Sequence, residues 1–140
     1  MFRVLIWLAV LLWAGGVLYT SSLGQAVTPV SGGMQSLVAK LGHVLEYAIL
    51  GALLSLAIRI ESGQNLTARW AVIATAAIGG LFAAFDELRQ SFVPGREPRV
   101  LDVLLDLLSV TFGSFGALHL LQTSAPKSDQ AQQAEQVPAK

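Results

Sequence analysis

The chain has 140 residues, enough for one small domain. Hydrophobic residues make up 54% and charged residues 13%, where a soluble domain carries roughly 25% charge. With 9 basic against 9 acidic residues and no Cys, this argues against a soluble enzyme, a disordered chain, a nucleic-acid binder with a basic patch, a disulfide framework and thiol or Cys–metal chemistry. What remains is a small polytopic membrane protein.

Crossing about 30 Å of hydrocarbon takes about 20 helical residues. No acidic or basic side chain occurs between Val4 and Ala39, and Val4–Tyr19 is almost wholly apolar. A second charge-poor run goes from Leu41 to Ile58, broken by Glu46; Trp70–Phe85 and Leu107–Leu121 are the third and fourth. With their polar flanks these runs predict an all-α fold of four transmembrane helices near 3–21, 40–60, 69–90 and 100–122, packed as an antiparallel bundle. A sheet does not fit, because the runs do not alternate and lipid tolerates only helices or closed barrels.

Met-Phe-Arg followed by an apolar run, with Gly24-Gln25-Ala26 beyond it, has the outline of a cleavable signal. The run is long for that role, and Trp7, Trp13 and Tyr19 suit a retained span with interfacial anchors. The expected domain is therefore 1–122. Residues 123–140, rich in Ala, Gln and Ser, read as a disordered polar tail. Basic residues barely discriminate orientation: Arg3, Arg59, Arg69, Lys127 and Lys140 on one side, Lys40, Arg89, Arg96 and Arg99 on the other. Setting aside the three arginines of the third loop as engaged in local chemistry places both termini in the cytoplasm.

Four antiparallel helices bring the start of the second, the end of the third and the start of the fourth to one side of the membrane, and the polar residues fall at those places. The second helix opens with Lys40, His43, Glu46 and Tyr47, on one face by their spacings of three and four. The third closes with Asp86, Glu87, Arg89 and Gln90, and the fourth opens with Asp102 and Asp106. The loop between carries Pro94-Gly95, a turn signal, then Arg96, Glu97 and Arg99. Ten of the eighteen charged residues gather at this end, whereas the connection Glu61–Arg69 reads as short and ordinary. Ionisable groups inside a span are costly, so Glu46 and Asp106 require partners, for which Arg96 and Arg99 offer bidentate pairing. Three readings of the cluster stay open: ties between helix ends, a ligand pocket, or an acid/base site. No metal is expected, since Lys40 and the arginines already balance the carboxylates. Small residues on the second, third and fourth helices, such as Gly51, Gly79, Gly80, Gly113 and Gly116, read as close-packing faces.

These residues resemble the VanZ-like family of small bacterial membrane proteins. The resemblance rests on Tyr19-Thr-Ser-Ser22, on Lys40-x-x-His43-x-x-Glu46-Tyr47-x-x-Leu50-Gly51, and on Asp86-Glu87-x-x-Gln90-x-Phe92-Val93-Pro94-Gly95-Arg96 with Asp102 beyond it. It covers roughly residues 4–120. Ala39 and Asp106 depart from the family pattern, which often has Asp at the first position and usually Asn at the second. The resemblance implies a four-helix membrane protein, and its founding members are associated with low-level resistance to teicoplanin, a glycopeptide with a lipid tail.

The expected function is a non-enzymatic envelope module in the bacterial cytoplasmic membrane. Its candidate ligand-binding cluster is Lys40, His43, Glu46, Tyr47, Asp86, Glu87, Gln90, Arg96, Arg99, Asp102 and Asp106. Its partners would be membrane lipids and a lipid-linked or lipoglycopeptide ligand at the outer face, with no cofactor and no nucleic acid. Two alternatives remain: an accessory subunit of a larger membrane complex, and a membrane-embedded enzyme using Glu46 or Asp86 as base, His43 as acid/base partner and Arg96 as anion stabiliser.

Overall fold

The computed structural model describes residues 1–23, 33–63, 65–92 and 99–124. They form four helices: α1 (Phe2–Ser22), α2 (Gly33–Ser62), α3 (Ala68–Gln90) and α4 (Val100–Ser124). Each contains a stretch long and apolar enough to cross a membrane, and the described residues include no strand. The expected boundaries hold within two residues except at α2, which starts seven residues before the predicted position 40. That prediction measured the hydrocarbon; a helix has no reason to stop at the membrane surface while Gly33–Ala39 contains no proline and no charge. The membrane-spanning part of α2 is Lys40–Ser62. At the other end, Thr123 and Ser124 belong to α4, while 125–140 lie outside the described residues.

Consecutive helices run in opposite directions, as three contacts make plain. Arg3 at the start of α1 pairs with Glu61 at the end of α2 at 3.6 Å. Tyr47, in the first half of the membrane-spanning part of α2, reaches Asp86 near the end of α3. Glu87, also near the end of α3, accepts a hydrogen bond from the amide of Arg99, just before α4.

α2 and α4, parallel to each other, share the most extensive contact, while α1 touches α3 little and α4 less still. Two glycines permit this. A Cβ on Gly51 would collide with the carbonyl of Val110, and a Cβ on Gly113 with the carbonyl of Ala48. Backbone therefore meets backbone along the α2–α4 seam, the close approach that small residues allow in lipid. Gly79 and Gly80 admit the side chains of Val110 and Leu107, whereas Gly116, expected to pack, has open space around it. Val10, Val17, Tyr47, Leu50, Leu54, Ala57, Ala83 and Val110 form the core. Larger apolar side chains such as Leu12, Leu81, Phe85, Phe112 and Phe115 point outward, the arrangement expected where the surrounding solvent is lipid.

Candidate functional site

Asp86 is fully buried, one turn from the end of α3. Its carboxylate accepts four hydrogen bonds. The Ser21 hydroxyl donates to Oδ1 at 2.7 Å and Arg89 Nη2 to the same oxygen at 2.9 Å. Tyr47 donates to Oδ2 at 3.3 Å and Gln90 Nε2 to that oxygen at 2.8 Å. An ionised carboxylate offers about four acceptor positions, so this one is saturated. The helix periodicity explains the local part: Arg89 and Gln90, three and four residues on, share Asp86's face. Arg89 then extends the network, donating to the Leu18 carbonyl at 2.7 Å and to the hydroxyls of Ser21 and Ser22. Trp13 adds a bond to the Glu46 carbonyl at 2.9 Å. Together these contacts tie the second half of α1 and the middle of α2 to the end of α3.

The α2–α4 side of the same end is built differently. His43 Nδ1 lies 3.9 Å from an oxygen of Asp106, and the imidazole stacks on Tyr47 with ring centroids 6.1 Å apart. Asp106 is only 5% exposed, yet among the described residues this imidazole is its one ionic partner. One turn further out, Lys40 Nζ is 3.6 Å from Asp102 Oδ1, with side chains 48% and 34% exposed. Asp102 sits in the first turn of α4, where the helix dipole favours a carboxylate. Glu87 Oε1 accepts from the Arg99 amide at 2.6 Å, joining α3 to the start of α4. Glu46 is half-buried, and its carboxylate makes neither an ion pair nor a hydrogen bond with the described residues.

The sequence-predicted cluster therefore divides. Tyr47, Asp86 and Gln90 belong to the sealed network. Lys40, His43, Asp102 and Asp106 line the α2–α4 seam, with Glu87 and Arg99 at its α3 edge. Three expectations need correction. Among the described residues the Glu46 carboxylate pairs with no arginine, and its α2 turn meets α1 through the backbone carbonyl that Trp13 bonds; Arg96, the other expected partner, lies outside the described residues. Arg99 engages Glu87 through its backbone amide. Among the described residues the arginine that pairs with a buried carboxylate is Arg89, which follows Asp86 by one turn. Arg96 and the Pro94-Gly95 turn lie outside the described residues, as does Gly24-Gln25-Ala26.

Ser21, Ser22 and Arg89 are the site residues that were not singled out as candidates. The signal for the serines was the Tyr19–Ser22 motif at the end of the first helix; for Arg89 it was the three-residue interval from Asp86. Among the described residues no group of three or more His, Asp or Glu side chains is placed to hold a metal ion.

The family model described as VanZ/LLP1 matches residues 4–122. No curated protein and no solved structure matches the chain.

Proposed function

The chain belongs to the VanZ/LLP1 family and is a multi-pass membrane protein, and from that premise we propose that it is a non-enzymatic module of the cell envelope. In this reading the α2–α4 seam binds a lipid headgroup, a lipid-linked precursor or a lipopeptide at the outer face of the cytoplasmic membrane, with both termini in the cytoplasm. The observation that carries it is the contrast inside the polar end. Asp86 is used up by packing, whereas Lys40, His43, Asp102 and Asp106 hold longer pairings of 3.6 and 3.9 Å, with Lys40 and Asp102 partly exposed. Charges of both signs within two turns suit a ligand that presents phosphate or carboxylate together with an amine. The acid/base alternative loses one of its two bases, because a carboxylate already receiving four donors has no lone pair for a substrate proton.

The test is a susceptibility panel on a deletion strain complemented with wild type, His43→Ala, Asp106→Asn and Arg96→Ala, using teicoplanin, vancomycin and a daptomycin-like lipopeptide. The expected outcome is loss of tolerance in the deletion and in the point variants at normal membrane levels. Unchanged tolerance in all of them would favour the accessory-subunit reading. Reporter fusions should place residues 91–99 outside the cytoplasm; a cytoplasmic loop would sink the outer-face version.

A further inference from the structure

At the end of the bundle opposite Asp86, a cavity of about 210 Å3 opens between α2, α3 and α4, lined by Arg59, Ala68, Leu118, Leu121 and Gln122. Among the described residues the lining combines one cation, one amide and three aliphatic side chains, with no carboxylate. Arg59 is half-buried in the last turn of α2 and donates through one terminal nitrogen to the Leu66 carbonyl. That bond closes the turn that Gly63 begins in the left-handed conformation, at φ +59°. A guanidinium carries five N–H donors, so stapling the turn leaves most of the fork for something else.

The surroundings are electropositive. Ala68 is the first residue of α3, and the preceding Thr67 makes no side-chain capping bond, so the first-turn amides keep their donors and the positive end of the helix dipole. Arg3 and Arg69 are exposed at the same end. Glu61, the acidic residue at this end among the described residues, is drawn to Arg3 on the α1 side. A role confined to the turn would need one donor and no cavity, and a water-filled pocket would not need aliphatic walls continuous with the lipid-facing Leu121.

We propose that this cavity is a headgroup site for an anionic phospholipid. Arg59 holds the phosphate beside the α3 N-terminus, and Leu118 and Leu121 carry the glycerol and the first acyl methylenes. A basic pocket between membrane helices is the usual way of recognising such headgroups, and the guanidinium fork matches phosphate geometry. The site is independent of the α2–α4 seam, and it faces the other leaflet.

The test is native mass spectrometry of the full chain released from detergent, with phosphatidylglycerol, phosphatidylcholine and inorganic phosphate added in separate arms. Wild type is expected to hold phosphatidylglycerol about tenfold more tightly than phosphatidylcholine, the scale of one charge-assisted contact. Arg59→Gln should erase most of that preference. Ala68→Leu, which narrows the cavity while leaving Arg59 in place, should erase it at unchanged thermal stability, and it decides the matter if Arg59→Gln fails to fold. Equal retention of the two lipids by wild type would overturn the proposal, as would a preference that survives in Ala68→Leu. Retention of inorganic phosphate at the strength of the lipid would assign a free-anion site instead.

Discussion

Asp86 and Asp106 are both buried carboxylates at the same end of one small bundle, yet Asp86 receives four hydrogen bonds and Asp106 faces a single imidazole at 3.9 Å. The two differ in what their helices meet. Asp86 points to where α1 ends in Ser21 and Ser22 and where Tyr47 enters from α2, so donors converge on it from three helices. Asp106 lies on the α2–α4 seam, whose close approach at Gly51 and Gly113 puts backbone against backbone and leaves few side chains to satisfy a carboxylate near its rim. A buried ion pair contributes to stability only when its geometry and remaining hydrogen bonds are complete. By that measure Asp86 holds the bundle together, and Asp106 contributes far less to it.

This contrast can be broken by mutation. Asp86→Ala strips the acceptor from four donors and strands the Arg89 guanidinium; it should lower stability by about 3–5 kcal/mol, read as thermal unfolding in detergent. A loss below about 1 kcal/mol would remove the distinction between the two carboxylates. Gly113→Ala should cost about 1–3 kcal/mol by forcing α2 and α4 apart, whereas Gly116→Ala, three residues on in open space, should be neutral or slightly stabilising. Equal effects from the two glycines would count against the backbone-to-backbone seam.

Asp106→Asn keeps the shape of the side chain and should change stability by less than about 1 kcal/mol, while abolishing the protective phenotype expected of the seam. A loss as large as that of Asp86→Ala would make the seam a structural tie as well. Lys40→Ala removes a partly exposed pair and should cost about 0–1 kcal/mol, shrinking further as salt is raised. A salt-insensitive loss would mean that Lys40 packs rather than pairs.

Much of this is legible in the sequence. Four apolar runs of the right length give four spans, because lipid leaves backbone polar groups no other partner than their own helix. The gathering of Lys40, His43, Glu46, Asp86, Glu87, Arg99, Asp102 and Asp106 at one end follows from alternating helix direction. The Gln90–Asp86 bond follows from helical spacing. What could not be read was how the cluster divides. Glu46 and Asp106 looked alike in sequence, each a carboxylate one or two turns inside its span. Asp106 faces an imidazole and Glu46 pairs with no described residue, because His43 and Glu46 lie on sides of α2 that meet different helices.

The opposite end makes the same point from the other direction. Glu61–Arg69 looked like an ordinary short connection, and as a connection it is one: Gly63 turns the chain and Arg59 closes the turn through Leu66. Its cavity exists only because α4 brings Leu118, Leu121 and Gln122 beside Arg59, some sixty residues away in the chain. Local spacing and the bilayer's intolerance of unpaired polar backbone set the helices, their direction and the polar end. The lateral arrangement of the four helices, with α2 against α4 and α1 set away from α4, was decided by which small residues let two backbones touch, and that is a property of pairs of surfaces which no single segment carries.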